Sequence, residues 1–165
     1  MPLTVAEVDA LAERAHAGQL DRIGVPYIEH VRAVAHGLEP FGPYAQMAGL
    51  LHDIIEDTDW TADRLRAAGV PGVVVDTVLA VTKRPGVAYE EMITEIAGKP
   101  RATLVKIADN AHNSLPARTG ALPEDQRTRL AAKYRAARAV LWPAAQSIDV
   151  ATILGRVNPD LLAEL

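Results

Sequence analysis

The sequence predicts an all-α fold in one domain, and three observations predict it. Nearly half of the 165 residues are apolar (49%) while aromatics make up only 4%, so Leu, Val, Ile and Ala must build the core. That aliphatic, Ala-rich composition favours helix. The chain then divides into a succession of segments with helix-start signals, separated by Gly- and Pro-containing breaks. Finally, the one stretch with strand propensity, VVVDTVLAV, has no second strand to pair with and is read as a buried helix.

In chain order, Thr4 and Glu7 have the spacing of a capping box ahead of a helix reaching about His16. GQLDRIGVP is a loop. Pro26 suits the first turn of a second helix, Tyr27 to about Gly37. GLEPFGP is a break. A third helix begins near Tyr44 and is expected to carry LLHDIIEDT on one continuous stretch. Thr61 caps a short helix ending at Gly69, and Pro71 opens another through about Thr82. KRPG is a turn. Helices at about 87–97, 101–113 and 123–142 follow, with a tail from 143 to 165 that packs back on the bundle or mediates homo-oligomer formation. The single domain is expected to span 1–165, its motif-bearing core at about 4–142.

Composition narrows the chemistry. There is no Cys, which excludes disulfides and thiolate metal sites. No signal-peptide pattern or bilayer-length apolar run is present, so a cytoplasmic protein with no membrane partner is expected. The net charge of −4 argues against a nucleic-acid partner but leaves room for a local basic pocket.

LLHDIIEDT concentrates the chemistry. On a helix, His52 and Glu56 share one face, as do Asp53 and Asp57. Three carboxylates and an imidazole so close repel unless a cation sits among them. By itself the motif is equally the solvated, acidic end of a helix. Two further places supply matching donors. His30 sits in PYIEH, and Asp109 follows an apolar run in TLVKIADNAHNS, where a lone buried carboxylate is costly unless paired or metal-bound. His30, His52, Asp53 and Asp109 make a two-His, two-carboxylate set suited to a divalent metal, with Glu56 and Asp57 near enough to act on water. Arg22, Lys83, Arg84 and Lys106 are the candidate cations for phosphate charge. The basic helix carrying Arg127, Arg129, Lys133, Arg135 and Arg138 reads as a solvated face, with Tyr134 able to reach the pocket, and His112 reads as packing.

These motifs resemble the HD-domain phosphohydrolase superfamily, and within it the hydrolase domain of RelA/SpoT-type proteins and the stand-alone small alarmone hydrolases of metazoan SpoT-homologue type. The matching pieces are AHAGQ, GVPYIEH, AGLLHDIIEDT, VTK and VKIADNAHNS, in the family's order. The resemblance implies a compact HD-type helical bundle and a manganese-dependent hydrolase that removes the 3′-pyrophosphate of guanosine tetra- or pentaphosphate, a small phosphorylated nucleotide. It implies His30, His52, Asp53 and Asp109 as metal ligands, and Glu56 and Asp57 as the pair that positions and deprotonates water. Asn113 would contact the nucleotide, and Tyr27 and Lys83 would line its pocket. In the loop LDRIGVP, Asp21 stands where a guanine-stacking Arg is usual and Ile23 where a Ser is usual. An adenosine alarmone or NADPH is therefore the alternative substrate, and a non-catalytic nucleotide-sensing module the alternative of another class. The intact Glu56–Asp57 pair argues against the latter.

Overall fold

Helix formation begins at the cap the sequence supplies. In the computed structural model, which describes Met1–Leu165, Thr4 accepts from the Glu7 amide and Glu7 reaches back to the Thr4 amide. The reciprocal pair starts α1 (Val5–Ala15). A loop closed by a bridge between Leu20 and Pro26 leads to α2 (Ile28–Leu38). Then follow α3 (Pro43–Leu51), α4 (Ile54–Asp57), α5 (Ala62–Ala67, capped by Thr61) and α6 (Gly72–Val81). The chain continues with α7 (Tyr89–Ala97), α8 (Pro100–Asn113), α9 (Pro116–Thr119), α10 (Glu124–Leu141) and α11 (Ser147–Val157). No strand forms, and VVVDTVLAV is α6, with Val74, Val75, Val78 and Val81 in the core.

One hydrophobic cluster of 30 residues gathers side chains from α1 through α8, α10 and α11. α2, α3 and α8 pack mutually at its centre, and α11 closes the back of α2 and α8. The tail from 143 onward thus lies on the bundle. Close approach depends on two glycines. A Cβ at Gly49 in α3 would lie 3.0 Å from the Ala35 backbone of α2, and one at Gly37 would lie 2.4 Å from Val157 of α11. No helix is long and apolar enough to cross a membrane.

One element departs from expectation. LLHDIIEDT does not lie on a continuous helix. α3 stops at Leu51, Asp53 leaves the helical region (φ −104°, ψ 1°), and α4 is a separate turn. The His52 ring takes over a backbone role at the break, its Nδ1 lying 2.7 Å from the Gly49 carbonyl in the last turn of α3. A carbonyl near a helix end needs such a donor. The break frees His52 and Asp53 to turn toward α2 and α8.

Candidate metal centre

His30 comes from α2, His52 and Asp53 from the α3–α4 junction, and Asp109 from α8. One potential ligand atom from each lies within 4.8 Å of all the others. The two imidazole Nε2 atoms are 3.3 Å apart. Asp53 Oδ2 is 3.0 Å from His52 Nε2, and Asp109 Oδ1 is 3.1 Å from His30 Nε2. Both histidines and Asp109 are buried.

The donor set fits a divalent cation. A carbonyl only accepts, so Nδ1 of His52 must be the protonated nitrogen and its Nε2 presents a lone pair. His30 Nδ1 lies 2.7 Å from Nδ1 of His112. Burial, then His30 and Arg118, push the His112 imidazole down to about 3, so it is neutral and can accept from His30. That leaves Nε2 of His30 as a second lone pair. Two lone pairs 3.3 Å apart, facing two carboxylates, call for a shared cation. Burial disfavours a charged His52, but Asp53 and Asp109 outweigh it and raise its pKa well above the ordinary value, so a proton competes with the metal cation for the Nε2 lone pair.

The carboxylates are oriented in turn. Tyr27 donates its hydroxyl to Asp53 Oδ2 at 2.6 Å. Lys106 donates to Asp109 Oδ2 at 2.8 Å, and Asn113 to Asp109 Oδ1 at 2.9 Å. Burial would raise Asp109, yet Lys106 and the two imidazoles bring it well below the usual carboxylate range. Such supporting hydrogen bonds fix the direction of ligand lone pairs.

The cluster opens into a cavity of about 380 Å³. Glu56 and Asp57 stand on its wall. Glu56 accepts the Lys83 backbone amide, and Asp57 accepts from Gln19 at 3.0 Å. Gln19 is fixed by His16 at 2.7 Å. Burial raises the Glu56 carboxyl, partly offset by the Lys83 amide, and burial with Asp53 raises Asp57. Arg22, Tyr27, Lys83, Lys106 and Asn113 all line this cavity. Arg84 does not: it is ion-paired with Glu95.

Two readings of the sequence are corrected here. His112 is bonded to His30 rather than simply packed, because α8 turns it and Asp109, three residues earlier, toward the same ring. The basic helix α10 is not uniformly solvated. Lys133 and Tyr134 line the cavity, while buried Arg138 makes a two-point pair with Glu164 at 2.8 and 2.9 Å. Asp21, too, has a defined place. Its Oδ1 accepts the Ile23 and Val25 amides, and its Oδ2 pairs with Arg118 at 3.1 Å. Arg118 also reaches Asn113 at 3.3 Å. The Asp21–Arg118 pair joins segments 97 positions apart, with no local signal in the sequence.

No protein-family model matches the chain. Among curated proteins it is 35% identical over 153 residues to a probable GTP pyrophosphokinase of Mycobacterium leprae, an alignment covering 87% of this chain and 19% of the relative. It is 36% identical over 134 residues to the guanosine-3′,5′-bis(diphosphate) 3′-pyrophosphohydrolase of Haemophilus influenzae, covering 73% of this chain and 19% of the relative. The chain thus spans about a fifth of the length of these relatives. A solved structure of a metazoan SpoT orthologue, described as hydrolysing ppGpp, superposes with a TM-score of 0.72 at 24% identity, covering 93% of this chain and 95% of that one. The chain is related in sequence to these proteins and to those named RelA in Mycobacterium tuberculosis and SpoT in Escherichia coli, and its fold is that of the metazoan orthologue.

Proposed function

We propose that this protein is a metal-dependent nucleotide phosphohydrolase that removes the 3′-pyrophosphate from guanosine tetra- or pentaphosphate, or from a related alarmone, in the cytoplasm. The observation that carries the reading is the convergence of His30, His52, Asp53 and Asp109 beside a cavity that Asp53 and Asp109 line together with Glu56 and Asp57. The relatives named as 3′-pyrophosphohydrolase and as hydrolysing ppGpp supply the substrate class.

In this reading His30, His52, Asp53 and Asp109 hold a divalent cation, for which we propose manganese. When bound, it supplies charge that neutralises phosphoryl oxygens and makes water more acidic. Glu56 takes the proton of the attacking water. Its burial keeps that carboxylate more basic than an exposed one, which suits a general base. Asp57, held by Gln19, orients the water. The water oxygen bonds to the phosphorus on the ribose 3′ oxygen, that P–O bond breaks, the 3′ oxygen takes up a proton and pyrophosphate leaves. Lys106, beside the cation-binding cluster, offsets the charge of the reacting phosphate, as phosphoryl transfer requires, and Arg22 and Lys83 offset phosphate charge elsewhere on the substrate. Tyr27 steadies Asp53, while Asn113 steadies Asp109 and faces the nucleotide.

A second reading, another phosphorylated nucleotide such as an adenosine alarmone or NADPH, draws on the Asp21 carboxylate. It is held by two amides and Arg118 where the family places a guanine-stacking cation. One experiment tests both. The manganese-loaded protein is given guanosine and adenosine 3′-pyrophosphates and NADPH, and phosphate and pyrophosphate release are measured. Pyrophosphate from the guanosine substrate is the expected result. Silence there with turnover elsewhere selects the second reading, and silence throughout, with and without manganese, overturns both.

A further inference from the structure

Arg22, Lys83 and Lys133 meet at the cavity mouth from three separate elements: the loop after α1, the turn after α6, and α10. All three are exposed. The other two cations of the cavity are already engaged, Lys106 with Asp109 and Arg118 with Asp21. No carboxylate lies within ion-pair distance of Arg22, Lys83 or Lys133. The Lys133 ammonium instead sits 4.2 Å from the centre of the Tyr89 ring, the same ring that Lys106 approaches at 5.9 Å. The ring face holds the lysine over the cavity.

Unpaired like charges gathered at one opening destabilise one another unless an anion joins them. Burial lowers the Lys133 pKa most, and the charges of Lys106, Arg22 and Lys83 lower it further. The phosphate that reacts has its own counter-charges at the floor, in Lys106 and the cation-binding cluster. Three further cations at the mouth are in excess of what a single phosphate cluster needs.

We propose that Lys133, with Arg22 and Lys83, forms a second anion subsite that binds a phosphate group of the substrate other than the one hydrolysed. This rests on the reading of the cavity as a nucleotide phosphohydrolase site. For a nucleoside 3′-pyrophosphate, the group is the 5′ phosphate chain. Lys133 is thus a specificity-determining residue that distinguishes substrates by their 5′ phosphates.

The test is a series of guanosine 3′-diphosphates with a 5′ hydroxyl, or one, two or three 5′ phosphates. Each is assayed with manganese-loaded wild-type protein, Lys133→Ala and Lys133→Arg. A charge-assisted contact predicts that Lys133→Ala raises KM about ten-fold for the 5′-diphosphate and less than about two-fold for the 5′ hydroxyl. Lys133→Arg should restore most of the loss. An equal rise across the series, or no rise, overturns the proposal. Should wild type leave the whole series untouched, the guanosine reading fails separately. Binding of guanosine and adenosine 5′-diphosphates by calorimetry then decides the subsite. Weakening by about ten-fold in Lys133→Ala supports it, and equal affinity overturns it. Lys133 is exposed, so the variant should fold, which an unchanged thermal melt would verify.

Discussion

Glu56 is the residue on which the chemistry turns. It touches no ligand of the metal cluster through a hydrogen bond, and its anchoring partner is the Lys83 amide. Removing its carboxylate should therefore spare the metal and abolish proton transfer. For Glu56→Ala we expect manganese bound at wild-type stoichiometry with kcat lowered by about 10²–10⁴. Wild-type turnover in that variant would remove Glu56 from the mechanism. The same residue sets a pH limb. The active form is the carboxylate, present above its pKa and lost as pH falls through it. Because burial raises that pKa from 4.5, the acid limb of wild-type kcat should lie above the ordinary glutamate range and shift or vanish in Glu56→Gln. At this scale much of the site could be read from residue identity once His30 and Asp109 were set beside His-Asp and Glu-Asp, a motif that alone is equally the solvated end of a helix. Lys133, Arg118 and His112 could not be read so. Their roles depend on how α8 and α10 are rotated about their axes, and on a pairing across 97 positions that no local pattern encodes.

Helix positions followed the capping and Pro/Gly signals closely, because those residues act within a turn of where they stand. The interruption after Leu51 had no such signal: neither Gly nor Pro lies in HDIIED. It comes instead from the tertiary demand that His52 and Asp53 meet His30 and Asp109, a demand the His52–Gly49 bond stabilises locally. The distance between His30 and His52 is thus set by how closely α2 and α3 pack, and Gly49 sets that packing. An added Cβ would meet Leu38 at 2.9 Å and the Ala35 backbone at 3.0 and 3.1 Å. A leucine tip can rotate away, but a helix backbone cannot. Alanine gains up to about 1 kcal/mol of helix propensity. Overpacking against backbone costs about 1–3 kcal/mol and should win. Gly49→Ala is expected to lower stability in urea and weaken manganese binding together. A variant of equal stability and unchanged metal affinity would show that the α2–α3 spacing does not govern the cluster.

For the molecule as a whole, the question is what holds α2 and α8, the carriers of His30 and Asp109, in one register. Besides α3, α11 also spans both. It buries Val150, Ile153 and Leu154, and approaches α2 closely where Gly37 leaves room for Val157. Polar anchors complete the attachment. Asn158 donates to the Ala111 carbonyl at 2.9 Å, two residues beyond Asp109, and Arg156 donates to the His36 carbonyl at 2.7 Å. Beyond them Glu164 neutralises the buried Arg138 of α10. Each buried aliphatic side chain contributes about 1.5–3 kcal/mol. Losing three of them, and leaving Arg138 without its partner, approaches the 5–15 kcal/mol net stability of an ordinary domain. A chain ending at Ala145 is therefore expected to melt more than about 10 °C lower or to lose a cooperative transition, by the usual scaling of stability with melting temperature. Saturating manganese should recover part of that loss, since a ligand held jointly by α2, α3 and α8 stabilises only the assembled form, by about 2.7 kcal/mol at a hundred-fold excess over Kd. A truncated chain that melts within a degree or two of the full one, with equal manganese affinity, would mean that α2 and α8 keep their register without α11, and that the tail is an attachment rather than a brace for the metal site.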